Sequence, residues 1–161
     1  MMDRDIRKQV MRLFTYGLYV LTVRHEDELA ASTVTWVSQA SFEPLRITVA
    51  VNADGQTHAW LVKSGKFGLN LVGAGQKELA VAFFKAPRLA EGRLSGFAFH
   101  DGSETGAPIF DDAPAWLEAE VCGTVEGGDH TVFAADVLDL GITDEDATAL
   151  ALRDTSWHYG H

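Results

Sequence analysis

Ala115-Trp116-Leu117-Glu118-Ala119-Glu120-Val121-Cys122-Gly123-Thr124-Val125-Glu126 runs into Gly127-Gly128-Asp129-His130, and then into an apolar run from Thr131 to Leu140. The first stretch alternates. Leu117, Ala119, Val121 and Val125 fall on one side of an extended chain, and Glu118, Glu120 and Glu126 on the other, which is the two-residue period of a half-covered strand. Gly127-Gly128 turns the chain, and Thr131 to Leu140 is its natural partner in an antiparallel hairpin.

Working outward, Leu45 to Asn52 alternates just as cleanly, with Leu45, Ile47, Val49 and Val51 on one face. Gly17 to Val23 is a strand rich in aromatic and β-branched residues, apolar enough for both faces to be covered. Ala30 to Ser41 returns as one more strand after the polar turn His25-Glu26-Asp27-Glu28, and Phe67 to Val72 is another. Helical spacing marks Asp5 to Phe14 and Gln76 to Phe84. Thr57 to Lys63 makes a short helix with Asp54 or Thr57 as cap and Gly65 as its stop. Lys85 to Pro114 has no period and reads as a long loop, a lid or a wrap around a partner subunit. The tail carries Leu150-Ala151-Leu152 and Trp157-His158-Tyr159. This order lacks the βαβ alternation of a parallel sheet. It predicts a mainly β protein, an antiparallel barrel with peripheral α-helices.

Composition narrows the function. The chain has 161 residues, 47% of them apolar, and 15 glycines, which suits one domain spanning 1–161. The longest apolar stretch, Leu18 to Val23, is far short of the roughly 20 residues of a membrane helix. The charged start is unlike a secretory signal. Cys122 is the single cysteine, which excludes an intrachain disulfide and fits a cytoplasmic protein. A net charge of −10 with no basic stripe disfavours nucleic acid. An anionic small molecule remains acceptable where backbone amides receive it.

Most motif searches fail. No GxGxxG opens a helix, no phosphate loop ends in Gly-Lys-Ser/Thr, and there is neither a cysteine pair nor HExxH for zinc. Gly73-Ala74-Gly75 lacks the third glycine and partner acid of a dinucleotide turn. His158 and His161 have metal-like spacing but sit in a tail expected to fray, so no metal is predicted. Cys122 reads as a small core or interface residue. Asp111-Asp112 and Asp144-Glu145-Asp146 read as solvated charge.

An ordered series of short motifs is more informative. Gly17-Leu18-Tyr19-Val20-Leu21-Thr22 is followed by Thr33-Val34-Thr35-Trp36-Val37-Ser38-Gln39-Ala40-Ser41-Phe42-Glu43-Pro44, then Ser64-Gly65-Lys66-Phe67-Gly68-Leu69-Asn70-Leu71. Leu79-Ala80-Val81-Ala82-Phe83-Phe84, Gly106-Ala107-Pro108-Ile109-Phe110 and Gly128-Asp129-His130-Thr131 come next, and Leu152-Arg153-Asp154-Thr155-Ser156-Trp157-His158-Tyr159-Gly160 closes the series. Over about residues 6 to 160 this resembles the flavin reductase-like family, and within it the flavoredoxin branch. Two departures stand out: Pro44-Leu45 where a Pro-Pro pair is common, and Arg46 where an apolar residue is common.

The resemblance implies an FMN-binding split β-barrel, antiparallel and Greek-key-like. It implies a homodimer with FMN near the interface, FAD being the alternative flavin. NAD(P)H would be the hydride donor, and free flavin, oxygen, iron or a partner protein such as an oxygenase would be the acceptor. The residues allow this chemistry. A flavin needs a flat apolar slot, hydrogen-bond partners for its pyrimidine edge and donors for its phosphate. Thr33, Thr35 and Ser38 put hydroxyls along one segment with Val34 between them, and Trp36 offers an aromatic wall. By resemblance this segment holds the isoalloxazine and ribityl chain; read alone, it is an ordinary Thr-rich strand. Asn52, Thr57 and His58, around a helix start, are carried over as phosphate neighbours. The plain alternative is a helix cap and a surface histidine. Lys85 is a candidate cation for the same phosphate, or a solvated lysine. His130, by resemblance, lies beside flavin and nicotinamide and is the candidate catalytic residue; the alternative is a plain hairpin turn.

Hydride transfer requires stacking at a near-attack distance of roughly 3 to 3.5 Å rather than a nucleophile, so the lack of a triad is no obstacle. Three rival readings stay open. One is a flavoredoxin-like FMN-binding electron-transfer protein without NAD(P)H turnover. Another is a non-catalytic flavin-binding module. The third is a pyridoxamine phosphate oxidase-like enzyme, which shares the split-barrel architecture.

Overall fold

In the computed structural model, which describes residues 1–160, the chain folds into eleven strands and three α-helices. The strands of the main sheet are β1 (Tyr19–His25), β2 (Glu28–Val34), β3 (Val37–Ser41), β4 (Arg46–Asn52), β5 (Lys66–Leu71), β10 (Ala115–Val125) and β11 (His130–Ile142). They lie in the order β2-β1-β5-β10-β11-β4-β3, every pairing antiparallel. The two edge strands, β2 and β3, are consecutive and joined by Thr35-Trp36 alone. A seven-stranded sheet meets this only by curling until its edges approach at that link. Trp36 O accepts from Ala50 N at 3.0 Å, tying the link to β4. The strand expected from Ala30 to Ser41 is therefore two strands. The chain breaks there because it leaves β1 to pair with β4, Val37 opposite Val49.

The hairpin behaves as its alternation predicts, with two shifts of register. Cys122 is skipped between the pairs Val121–Ala135 and Gly123–Ala134, so it is turned out and exposed rather than placed in the core. Phe133 and Ala135 enter the inner core with Leu21, Val49, Leu61 and Phe67. Strand β1 separates two cores. Leu21 and Val23 face the inner one; Val20 faces an outer one with Leu79, Phe83, Leu94 and Phe110. All four residues Val20 to Val23 are 0% exposed, so both faces are indeed covered.

The outer cover is the segment expected to be a loop. It contains β6 (Leu89–Ala90), β7 (Arg93–Leu94), β8 (Phe97–Asp101) and β9 (Pro108–Phe110), a small antiparallel sheet. Strands of two to five residues are too short to show a period. Polar side chains on the outer face of the main sheet weld it on. Asn70 Nδ2 donates to Val20 O and Pro108 O, both at 3.3 Å, and Asn70 Oδ1 accepts from Phe110 N at 2.8 Å. Thr22 Oγ1 donates to Pro108 O at 2.7 Å. The opposite-face assignment of Glu118 holds, but that face is not solvent: Glu118 is 0% exposed. Its carboxylate accepts from Thr105 N at 2.8 Å and Thr105 Oγ1 at 2.6 Å. Gly68 lies beneath the same cover, where a Cβ would come 2.7 Å from Thr22 Oγ1, so only glycine permits the approach.

The helices flank this body. α1 (Arg4–Arg12) is capped by Asp3, whose Oδ1 accepts from Asp5 N and Ile6 N, and it buries no residue. α2 (Gln56–Ser64) is stopped by Gly65 at φ 69°. α3 (Lys77–Ala82) packs Leu79 and Ala80 into the outer core. The tail is anchored as far as Leu152. Leu150 is 1% exposed, its N donates to Val72 O at 2.8 Å, and Leu152 N donates to Tyr16 O at 2.8 Å. His161, half of the histidine pair singled out above, lies outside the described residues. Among the described residues, no helix is long and apolar enough to cross a membrane.

Candidate active site

Where the sheet edges meet, β2, the end of β4, the start of α2, the end of α3 and the tail enclose a cavity of about 520 Å³. One wall carries hydroxyls. Ser32 Oγ donates to Thr57 Oγ1 at 2.6 Å. Thr33 Oγ1 donates to Ala80 O at 2.6 Å, and Thr33 N to Phe83 O at 3.1 Å, clamping the end of α3 against β2. Thr35 is 6% exposed and its Oγ1 is buried with no hydrogen-bond partner among the described residues. Buried hydroxyls are ordinarily satisfied, so an orphan at a residue of the cavity wall is unusual. The other walls are apolar: Leu18, Val34, Val51, Phe83, Phe84 and Trp157. Trp157 stands edge-on to Phe84 at 5.1 Å.

The start of α2 closes one end. Its N-cap is Gly55, which offers no side-chain cap, so the first amides of the helix have no intrahelical or capping partner. Gly55 and Thr57 both face the cavity. Free amides at a helix start attract a phosphate or another anion. Neither Asp54 nor Thr57 caps α2: Asn52 Oδ1 accepts from Asp54 N at 2.9 Å, and the Thr57 hydroxyl is taken by Ser32.

Beside that start, His130 lies opposite Asn52 in the β4–β11 register, Ala53 N donates to Asp129 O at 2.9 Å, and Gly55 N donates to Asn52 O at 3.3 Å. The turn is thus pinned to the cavity rim. The His130 ring packs on Trp36, centroids 4.5 Å apart at 48°. Its Nδ1 is 2.8 Å from Asp129 Oδ1 and its Nε2 is 2.6 Å from the Tyr159 hydroxyl. Tyr159 stands edge-on to Trp36 at 5.2 Å. Burial raises the pKa of the Tyr159 hydroxyl above its usual value, Asn52 opposes this by hydrogen bonding, and Asp129 adds to it through its charge. The hydroxyl therefore keeps its proton at neutral pH. A groove of about 350 Å³ adjoins the cavity here, between the end of α1 and the tail, with Arg12, Phe14 and Tyr16 opposite Arg153 and Thr155.

The structure brings together five of the ten residues singled out in the sequence, Thr33, Val34, Thr35, Asn52 and Thr57, on the cavity wall. Trp36 lines the adjoining groove and His130 lies beside it. Ser38 is exposed on β3 and its Oγ donates to Gln39 O. His58 is turned into the sheet, Nε2 2.8 Å from Thr131 Oγ1 and its ring edge-on to Phe133. Lys85 is exposed beyond α3 and absent from the cavity wall. Sequence reasoning missed Ser32, Phe83, Phe84, Leu152, Trp157 and Tyr159. The aromatic density of Trp157-His158-Tyr159 was the available signal.

Comparison with known proteins agrees with this geometry. The family model of the flavin reductase like domain matches residues 11–160, and the chain belongs to that family. The NADH-dependent flavin reductase StyB of Pseudomonas fluorescens is 31% identical over 159 residues, covering 98% of this chain and 90% of that protein. Diflavin flavoprotein A 1 of a Synechocystis species is 32% identical across 98% of this chain, which spans only 28% of that longer relative. Among solved structures, the NADH:FAD oxidoreductase SgcE6 of Streptomyces globisporus superposes with a TM-score of 0.79 at 26% identity, covering 94% of this chain and 91% of that one. The styrene monooxygenase flavin reductase of Pseudomonas putida superposes with a TM-score of 0.74 at 31% identity, covering 89% of this chain and 90% of that one.

Proposed function

We propose that this chain is an NAD(P)H:flavin oxidoreductase that holds FMN, or FAD as the alternative, in the cavity on a split β-barrel. The observation that carries the reading is the orphaned Thr35 hydroxyl, buried on the wall of an apolar slot that ends at the uncapped start of α2. That donor set fits a flat ring with a polar edge at one end and a phosphate at the other. A bound flavin would supply the ring that accepts hydride. Thr33, Val34 and Thr35 would offer hydroxyl and backbone groups to its edge, while Phe83, Phe84 and Trp157 exclude water from its faces. The α2 amides with Thr57 and Ser32 would receive the phosphate. Trp36 and His130 border the side from which a nicotinamide would stack.

The relatives named as NADH-dependent flavin reductase and NADH:FAD oxidoreductase support the hydride donor. A homodimer accords with the exposed Leu138, Leu140 and Ile142 of β11, an apolar row that a second copy would cover. Reduced flavin would then pass to an oxygenase or another electron acceptor in the cytoplasm. The test is direct. Purified protein is titrated with FMN while the visible spectrum is followed, and NADH or NADPH is then added without oxygen. Rapid bleaching is expected. Flavin binding without bleaching would indicate an electron carrier, and no binding at high FMN would end the proposal.

A further inference from the structure

The cavity and the groove meet along the tail: Leu152, Trp157, His158 and Tyr159 belong to the walls of both. His130 belongs to neither wall. Its side chain is 13% exposed, and both ring nitrogens are engaged, one by Asp129 and one by Tyr159. An ionised carboxylate only accepts, so Asp129 accepts from Nδ1–H; in the neutral imidazole Nε2 is then a lone pair, and the Tyr159 hydroxyl donates to it. No atom of the imidazole is left to bond a ligand. Tyr159, in contrast, is 43% exposed and stands at the junction of the two spaces.

We propose that Tyr159 is the residue that meets the nicotinamide, and that His130 and Asp129 are positioning residues acting through it. This rests on the hydride-transfer reading above. With its proton directed at His130 Nε2, the Tyr159 oxygen can only accept; Asn52 already bonds it, and the remaining lone pair is what a ligand at the junction can meet. Such an atom accepts from an N–H and repels a phosphate oxygen. The carboxamide of a nicotinamide carries the matching N–H beside the ring that must stack. The edge-on contacts of Tyr159 with Trp36 at 5.2 Å and with His130 at 5.6 Å hold its ring between those two side chains.

The experiment is a double-mutant cycle on the full chain with Tyr159→Phe and His130→Asn, read in three ways. In the flavin-free protein, imidazole ¹⁵N shifts should report His130 protonated at Nδ1, and Tyr159→Phe should move the Nε2 resonance. FMN affinity of Tyr159→Phe should stay within about twofold, while the apparent Kd for NADH or NADPH in anaerobic reduction rises about tenfold, as loss of one hydrogen bond in the bound state implies. Adding His130→Asn to Tyr159→Phe should change reduction less than about twofold, because the two residues act as a unit. The proposal is overturned if His130→Asn slows the Tyr159→Phe protein by the factor it slows the parent. It is equally overturned if Tyr159→Phe leaves the Nε2 shift alone, or weakens FMN rather than the nucleotide. A parent protein that binds FMN and is reduced by neither nucleotide sinks the hydride-transfer reading itself, and this proposal with it.

Discussion

Thr35→Val removes one buried oxygen and keeps the shape of the side chain, and its two effects should have opposite signs. In the ligand-free protein the Thr35 hydroxyl is buried without a partner. A buried unsatisfied group costs about 1–3 kcal/mol. Removing it should stabilise the flavin-free protein by that order, a rise in Tm of about 3–9 °C at the roughly 3 °C per kcal/mol expected for a chain of this size. In the flavin complex the same hydroxyl gains a partner worth about 0.5–1.5 kcal/mol, so Thr35→Val should weaken FMN about two- to twelvefold. Calorimetry of the flavin-free protein gives the first quantity and quenching of flavin fluorescence the second. A lower Tm would show that the hydroxyl is satisfied in the folded chain. An unchanged FMN affinity would remove Thr35 from the site, and with it the observation that carries the proposed function.

Three further outcomes are expected. Phe133→Ala, at a fully buried position of the inner core, should lower stability to denaturant by about 3–5 kcal/mol; a loss under about 1 kcal/mol would mean that Phe133 is not in a packed core. Lys85→Gln should leave FMN affinity within about twofold because Lys85 stands off the cavity wall; a tenfold loss would place its ammonium on the phosphate. Burial raises the Tyr19 and Tyr159 pKa values in the folded chain. Their stabilising contribution is therefore complete below the unfolded value of about 10 and is lost as pH rises through the higher folded values. Unfolding free energy should fall above about pH 10, less steeply in Tyr19→Phe, and an identical slope in that variant would refute the assignment.

Much of the fold was legible because strands with one covered face carry a two-residue period. Leu45 to Asn52 and the hairpin from Ala115 could be read directly, and the observed β4, β10 and β11 follow them to within a residue or two. The break at Thr35-Trp36 was not legible. Both halves are strand-like, and a change of pairing partner from β1 to β4 leaves no mark in local composition. The burial of Glu118 was equally hidden, since its satisfying donors, Thr105 N and Thr105 Oγ1, come from a segment with no period. Within the candidate site, the hydroxyl run from Thr33 to Thr35 and the Gly-Asp-His turn announced themselves as unusual side chains in unusual places. Tyr159 did not.

By itself, the sequence determined that β4 and the β10–β11 hairpin extend, which face of each is apolar, and that the order of motifs is that of a flavin reductase-like chain, because these depend on spacing within a few residues. Tertiary structure alone decided that α2 begins without a cap and against Ser32, that His58 turns away into the sheet, and that the tail returns to lay Tyr159 against His130 across a separation of 29 residues. Such contacts are set by how a curled sheet brings distant segments together, and no local propensity encodes them.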